Sequence, residues 1–184
     1  MGKNKNRDMN TFRELYRADL CRYAGYPPLY LRVLFFLYRR AQTTKNVVLN
    51  RFLKMCYSLH CRRRGLEINS LCIGGGLYLG HCYNITINPA ARIGINCNIH
   101  KGVVIGQTNR GKNKGVPVIG NEVWIGINAA IVGGITIGDD VLIAPNSYVN
   151  CDIPSHSVVY GNPCVIKHRD GATEGYINNV SKVE

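Results

Sequence analysis

The segment VIGNEVWIGINAAIVGGITIGDDVLIAPNSYV (118–149) carries an aliphatic residue at every sixth position. The six residues are Ile119, Ile125, Ile131, Ile137, Ile143 and Val149. A six-residue repeat is typical of a parallel β-helix, in which each hexad forms one face of a coil and its aliphatic side chain points inward. The segment therefore predicts a mainly β solenoid with three hexads in each coil.

The same period extends towards the N-terminus through Ile87, Ile93, Ile99 and Ile105. Glycine directly follows five of the aliphatic positions, at 94, 106, 120, 126 and 138. Because glycine tolerates backbone angles that other residues avoid, we expect these glycines to allow the turns at the corners. The pattern predicts that the β-helix covers residues 66–168, with a C-terminal tail over 169–184.

Two irregularities interrupt the period. Ile73, Leu79 and Ile85 follow a phase that is shifted by two residues from the one that starts at Ile87, and His81 lies beside the shift. Ile105 and Ile119 are 14 residues apart, where 12 would keep the period. The Gly-rich basic segment between them predicts a protruding loop over 106–118. Since local rules are most often broken at functional sites, we expect function at these two places.

The N-terminal third has a helical period instead. Apolar residues three and four apart predict helices over about 11–23, 29–42 and 46–63. Asn10 or Thr11 is a candidate N-cap with Glu14 following it, and Gly65 is a candidate helix stop. Residues 1–65 are therefore predicted to form a small α-helical region before the coil.

The net charge of +12 is concentrated in that helical region. Residues 1–65 hold 15 Lys and Arg against three acidic residues, and residues 66–184 hold eight of each. Charge alone suggests a nucleic-acid partner, and no recognised motif supports one. No apolar run approaches the roughly 20 residues of a membrane span, and the N-terminus lacks the apolar core of a signal peptide. We expect a cytoplasmic protein whose eight cysteines are reduced thiols.

From about Glu67 to Lys167 the chain resembles the hexapeptide-repeat acyltransferases, in particular their serine acetyltransferase branch. The resemblance rests on EINSLCIGGGLYLGH (67–81), INPAARIG (87–94), VVIGQT (103–108), PVIGNEVWIGINAAIVGGITIGDD (117–140) and VVYGNPCVI (158–166). It implies a left-handed parallel β-helix, acetyl-CoA as acyl donor, no metal, and a homotrimer.

The resemblance also implies a catalytic pair. His81 corresponds to the general base, and Glu67 corresponds to the carboxylate that orients it if one residue is deleted between the two. A neutral imidazole can remove the proton of an acceptor hydroxyl as that hydroxyl attacks the thioester. A carboxylate on the other ring nitrogen fixes the tautomer and stabilises the imidazolium. The alternative is that His81 is a structural histidine.

By the same resemblance, acetyl-CoA lies in a groove between subunits. The arm of the coenzyme is expected to pass Gly106, Thr108, Gly126, Ile127 and Pro145. Basic side chains are expected to meet its phosphates, namely Lys112, Lys114, Lys167 and Arg169.

The chain departs from the family where serine would be bound. Gly80 replaces an acid before the histidine, Gly115 and Val116 replace an Arg-His pair in the loop, and the segment AGYPP (24–28) offers no further acid. Because buried charges need partners, we predict a neutral acceptor instead, a sugar hydroxyl in surface polysaccharide synthesis. Serine remains the alternative acceptor. Candidate acceptor contacts are Tyr78, Tyr83, Asn84, Asn88 and His100, and the alternative for His100 is a solvated corner residue.

Three other hypotheses remain open. The basic helices, above all the second, could dock on an anionic membrane as a peripheral contact, or simply pack on the coil. A γ-type carbonic anhydrase shares this coil but needs three zinc-binding histidines, and the histidines here have the wrong spacing. A non-catalytic β-helix scaffold would need neither His81 nor a basic loop.

Overall fold

The computed structural model describes residues 11–180, which form three helices followed by a coil of short strands. The helices are α1 (Phe12–Cys21), α2 (Leu29–Thr43) and α3 (Val47–Arg62). The strands are β1 (Glu67–Ile68), β2 (Tyr78–Gly80), β3 (Thr86–Ile87), β4 (Arg92–Ile93), β5 (Asn98–His100), β6 (Val104–Gly106), β7 (Val118–Ile119), β8 (Trp124–Ile125), β9 (Ala130–Val132), β10 (Thr136–Ile137), β11 (Val141–Ile143), β12 (Tyr148–Val149), β13 (Ser157–Tyr160) and β14 (Val165–His168).

The three predicted helices are confirmed, with ends that differ from the predictions by two residues or fewer. Helix α1 begins with a capping box in which Glu14 N–H donates to Thr11 Oγ1 at 3.3 Å and Thr11 N–H donates to Glu14 Oε2 at 3.0 Å. Helix α3 is followed by Gly65 at φ +61, a left-handed conformation that favours glycine.

The strands form three sheets, one for each face of the coil, as the six-residue period predicts. Sheet 1 has the order β1-β3-β6-β9-β12, sheet 2 has β4-β7-β10, and sheet 3 has β2-β5-β8-β11-β13-β14. Every pairing is parallel except the closing pair of β13 with β14. In sheet 1, Ile87 pairs with Ile105 and Ile105 with Ile131, so equivalent hexad positions lie directly above one another.

The aliphatic hexad positions fill the interior of the coil. Ile105, Ile125, Ile131 and Ile143 are fully buried. Burying a side chain of this size contributes about 1.5–3 kcal/mol relative to leaving it exposed. The repeat therefore stabilises the coil through many similar burial energies, one for each aliphatic hexad position.

The glycines that follow the hexad positions do not provide the left-handed corners, so that prediction was wrong. Positive φ values occur two residues later, at Asn96, Glu122, Asn128 and Asp140 among others. The glycines are needed instead for close approach between coils. A Cβ on Gly120 would lie 2.8 Å from the backbone carbonyl carbon of Gly138.

Helices α1 and α2 close the N-terminal end of the coil through a buried polar network. Arg39 Nε donates to Asp19 Oδ2 at 2.7 Å, and both side chains are fully buried. Arg39 also donates to the carbonyls of Ile73 and Gly74 in the first coil, while Leu77 N–H donates to Asp19 Oδ1. The apolar face of α2, which includes Leu34 and Phe35, is buried in this packing. The alternative that α2 packs on the coil is confirmed.

Candidate active site

His81 lies at an expanded corner of the coil. From Leu79 in β2 to Ile87 in β3 the chain takes eight residues, whereas Ile99 to Ile105 takes six. The predicted shift of two residues is therefore a bulge at this corner. His81 adopts φ 50, and its side chain is exposed to solvent.

Glu67 lies on the strand next to the expanded corner. Its N–H donates to the carbonyl of Ile85 at 2.8 Å, and it pairs in register with Thr86. Within residues 11–180 neither the Glu67 carboxylate nor the His81 ring makes a hydrogen bond or ion pair. Glu67 thus pairs with β3, the strand that follows the expanded corner, and its pairing with His81 stays a prediction.

His100 is a half-buried residue of β5, so the expectation of a solvated corner was wrong. Its Nδ1 lies 2.9 Å from the carbonyl oxygen of Ile125, so this nitrogen donates and Nε2 is left as the acceptor. Burial lowers the pKa of His100, and the nearby His81 lowers it further against the opposing effect of the Ile125 hydrogen bond. The ring is therefore neutral at physiological pH.

The His100 ring explains the absence of an acid before His81. Gly80 pairs with His100 across sheet 3, and a Cβ on Gly80 would lie 2.3 Å from His100 Cδ2. Any side chain at position 80 would collide with the imidazole. A neutral ring therefore occupies the space that a side chain at position 80 would need.

A cavity of about 480 Å³ lies on the outer face of sheet 3. Tyr78 and His100, two of the predicted acceptor residues, line it. Tyr83 is half exposed and lines a separate groove beside α3. Asn84 packs its Oδ1 against Gly65, and Asn88 hydrogen-bonds to Gln107 at the base of the loop.

Sequence reasoning missed other residues that line the cavity, among them Arg22, Tyr23, Trp124 and Tyr176. A signal for Trp124 was present, because it occupies the outward position of sheet 3 that Asn98 occupies one coil earlier. Arg22 and Tyr176 come from the end of α1 and from the tail. No periodicity in the sequence connects those segments to sheet 3.

The loop between β6 and β7 occupies residues 107–117, and it inserts more residues into the coil than the spacing of 14 against 12 indicates. Ile105 to Ile119 replaces a step that takes six residues from Ile87 to Ile93, so the insertion is eight residues rather than two. Thr108 and Gly115 exchange backbone hydrogen bonds of 3.0 Å at its base. Gly134 N–H donates to the carbonyl of Asn113 at 2.9 Å, which holds the loop against the next coil.

The predicted acetyl-CoA residues lie at two different corners. Gly106 and Thr108 follow sheet 1, whereas Gly126 and Ile127 follow sheet 3, where a Cβ on Gly126 would lie 2.6 Å from Pro145 N. The basic residues are exposed on the loop and on the closing hairpin, namely Lys112, Lys114, Lys167 and Arg169. Within one molecule, the corner that holds Gly106 and the corner that holds Gly126 are therefore separate.

Between residues 11 and 180, no three His, Cys, Asp or Glu side chains are placed to share a metal ion. In the same part of the chain, no helix has the length and apolar character needed to span a bilayer. The eight cysteines are free thiols, and the Sγ atoms of Cys151 and Cys164 are 3.8 Å apart.

Comparison with known proteins finds a transferase family and several serine acetyltransferases that resemble parts of this chain. The family model described as bacterial transferase hexapeptide (six repeats) matches residues 117–151. A serine acetyltransferase of Helicobacter pylori is 37% identical over 99 residues, 53% of this chain and 58% of that protein. One of Staphylococcus xylosus is 38% identical over 112 residues, 60% of this chain and 52% of that protein. The chain thus spans about half the length of the curated relatives it matches.

The fold is also similar to a solved structure, soybean serine acetyltransferase. That similarity has a TM-score of 0.72 at 24% identity and covers 85% of this chain and 69% of that one. It shows that the coil and the preceding helices share an architecture with this enzyme fold.

The predicted sugar acceptor is wrong. The matched relatives are serine acetyltransferases, which favours the alternative that we had placed second. The sugar prediction rested on missing charges at positions 80, 115 and 116 and in the segment 24–28. A charged side chain can reach a pocket from another element, and Arg22 does so from the end of α1.

Proposed function

We propose that this protein is an acetyl-CoA-dependent O-acetyltransferase whose acceptor is serine. The observation that carries the proposal is the expanded corner at His81, within a chain segment that is 37–38% identical to serine acetyltransferases. A regular coil has no need of this expansion, and the expansion presents an imidazole to solvent where a substrate can reach it. The non-catalytic scaffold hypothesis leaves this feature unexplained.

In the proposed mechanism His81 acts as general base. Its ring accepts the proton of the serine hydroxyl while the hydroxyl oxygen attacks the acetyl carbonyl of the thioester. The tetrahedral intermediate then expels the thiolate of coenzyme A, which takes the proton back from the imidazolium. Glu67 is proposed to hold the second ring nitrogen once substrate has ordered the exposed His81 side chain.

We further propose that the active form is a homotrimer of left-handed coils. The support is the placement of the predicted coenzyme residues at two corners, after sheet 1 and after sheet 3. A groove between two subunits would bring one corner of each together. Backbone groups near Gly106 and Gly126 would then face the coenzyme arm, and Lys112, Lys114 and Lys167 its phosphates.

The test is thiol release from acetyl-CoA with serine as acceptor. We expect His81→Ala to lower kcat by roughly 10²–10⁴-fold, the usual contribution of a general base. His168→Ala is the matched control, because His168 is an exposed histidine of β14 far from the corner in sequence, and it should retain full turnover. Undiminished turnover in His81→Ala would refute the mechanism, and failure to acetylate serine would refute the acceptor.

We also propose a cytoplasmic location with a peripheral contact on anionic membrane, made by α3 rather than α2. Four apolar side chains of α3 are more than half exposed on one helical face: Val48, Phe52, Met55 and Leu59. Exposed Arg51 and Lys54 lie between them, which complements an anionic lipid surface.

Vesicle flotation tests this contact. The protein should float with vesicles that contain phosphatidylserine, and the variant Phe52→Ser/Met55→Ser should not. Flotation that is equal for both proteins would exclude α3 as the contact. Self-association lost in the variant, without lipid binding, would instead show that a second copy covers this face.

A further inference from the structure

The cavity on sheet 3 is enclosed by three separate segments of the chain. Helix α1 and the following linker supply Arg22, Tyr23 and Tyr26, sheet 3 supplies Tyr78, His100 and Trp124, and the tail supplies Tyr176. The aromatic rings form a continuous wall, with centroid distances of 4.7 Å for Tyr23–Tyr78, 4.6 Å for His100–Trp124 and 5.1 Å for Trp124–Tyr176. Within residues 11–180, no Asp or Glu lines the cavity.

Arg22 is a buried charge in this wall, and Glu122 attracts it at longer range without forming an ion pair. Its side chain is 3% exposed, and only Nη2 has a partner, the side-chain oxygen of Asn98. Nε and Nη1 make no hydrogen bond, and no carboxylate of residues 11–180 forms an ion pair with this guanidinium. Burial lowers the pKa of Arg22, yet a guanidinium remains protonated in proteins.

The other polar groups of the wall are neutral or already bonded. The Tyr23 hydroxyl accepts from Leu79 N–H at 3.0 Å, and Asn98 Nδ2 donates to the carbonyl of Tyr176 at 3.1 Å. His100 is neutral for the reasons given above. The cavity therefore combines one unpaired positive charge with flat apolar surfaces. A buried charge of this kind is expensive unless an anion pairs with it.

We propose that this cavity binds a small monocarboxylate with a flat or apolar body. The carboxylate would pair with Arg22, and the body would lie against Trp124 and Tyr78. Such a carboxylate has two sources, the acceptor amino acid of the proposed reaction or a separate effector. Gly80, which contacts the His100 ring, immediately precedes His81, so an occupied cavity adjoins the expanded corner in either case. The binding itself does not depend on the proposed function.

Fluorescence can measure this binding without turnover, because Trp124 is the only tryptophan of the chain. Benzoate is the probe, and benzamide is its uncharged control of the same shape. We expect benzoate to change Trp124 emission saturably, with an affinity at least about tenfold above that of benzamide, as a hydrogen-bonded charge provides. Equal affinities, or no response to benzoate, would overturn the proposal.

Variants connect the binding to Arg22. Arg22→Met should reduce benzoate affinity about tenfold or more and leave benzamide unaffected. Arg17→Met, an exposed arginine of the same helix, is the matched control and should bind normally. If Arg22→Met does not fold, Arg22→Lys keeps the charge with fewer donors and should bind benzoate more weakly than the parent. Unchanged affinity in the folded Arg22 variant would overturn the proposal.

Competition separates the two sources of ligand. If L-serine displaces benzoate and the displacement is lost in Arg22→Met, the cavity is where the acceptor carboxylate binds. If benzoate binds through Arg22 and serine does not displace it, the cavity serves a separate carboxylate. Both results support the carboxylate site, and the second leaves serine turnover by His81 to be judged by its own assay.

Discussion

In the coil, Ile105 and Ile131 are two members of one stack, and each repeats the role of the other one layer away. In the helical region, the Asp19–Arg39 pair joins α1, α2 and the first coil, through the carbonyls of Ile73 and Gly74 and the N–H of Leu77. The coil distributes its stability over many equivalent contacts. The helical region depends on one polar network that has no copy elsewhere in residues 11–180.

This difference explains where irregular chemistry is found. A repeat leaves its outward positions free but gives no reason to place a charge or a histidine at any one of them. The expanded corner and the Arg22 cavity both lie near the first two coils, where α1 and the tail approach sheet 3. Helix α1 and the tail each contact sheet 3 at one place, so the side chains there have surroundings that the other coils do not share. The coil holds these side chains in fixed positions.

The largest expected effect on the free energy of unfolding comes from breaking the buried Asp19–Arg39 network. Asp19→Ala should lower the free energy of unfolding by about 3–5 kcal/mol, because it leaves the Arg39 guanidinium buried without its carboxylate. Ile125→Val in the coil removes one methyl group and should lower it by about 0.5–1.5 kcal/mol. Urea unfolding followed by circular dichroism measures both changes.

A double variant tests whether the unpaired charge explains why Asp19→Ala should destabilise the protein more than Ile125→Val. Asp19→Leu/Arg39→Met removes both charges and should recover most of the stability lost by Asp19→Ala, since apolar replacements of a buried ion pair are often close to neutral. A double variant as unstable as Asp19→Ala would show that packing volume, rather than the unpaired charge, holds the helices on the coil.

A smaller effect is expected from a methyl group at the junction. Gly80→Ala would force the His100 ring away from its hydrogen bond with Ile125 and should cost about 1–3 kcal/mol. Gly106→Ala is the matched control in the regular coil, because its Cβ would lie 3.6 Å from Val132 Cγ1, an ordinary contact. Thermal unfolding of the two variants measures the contrast, and equal losses would contradict it.

The coil was predictable from sequence because each layer repeats the same six-residue pattern of aliphatic side chains. The hexad positions, the three helices and the Thr11–Glu14 capping box all depend on residues close in sequence, and the structure confirms them. The number of residues that the loop inserts was underestimated. A gap of 14 residues can replace two six-residue steps with two residues added, or one step with eight added. The sequence alone does not show how many hexads a gap replaces.

The cavity was not predictable for a different reason. Arg22 is 76 residues from its partner Asn98, and nothing in the spacing of either residue indicates their contact. His100 directly follows the buried Ile99, so the hexad pattern puts His100 on the outer face of the coil. Whether an outward residue meets solvent depends on which distant segment covers that face, and here the tail and α1 cover sheet 3.

The smallest expected effect concerns the tail, which crosses sheet 3 from the end of the coil towards α1. Asp140 holds it, since its carboxylate accepts from Ala172 N–H, from Thr173 N–H and hydroxyl, and from His156 Nδ1. Burial raises the pKa of Asp140, but these hydrogen bonds lower it more, so the net shift is downward. The hydrogen bond to Asp140 raises the pKa of His156 above its usual 6.5.

These shifts set the pH window in which the tail is docked most firmly. The Asp140 contribution is present above its unfolded pKa of 3.8 and is lost as pH falls through its lower folded value. The His156 contribution is present below 6.5 and is lost as pH rises through its higher folded value. Tail docking should therefore be strongest between pH 3.8 and pH 6.5, and it should weaken both at higher pH and in acid.

Trp124 emission reports this docking, because the Tyr176 ring of the tail lies 5.1 Å from the indole. His156→Gln should remove the change in Trp124 emission at higher pH and keep the change in emission in acid. Asp140→Asn should remove both changes in emission. His100 also adjoins Trp124, and its titration is common to all three proteins, so the difference between them isolates the tail. If His156→Gln kept the full change at higher pH, the tail would be held by its apolar contacts with the coil and not by the one carboxylate.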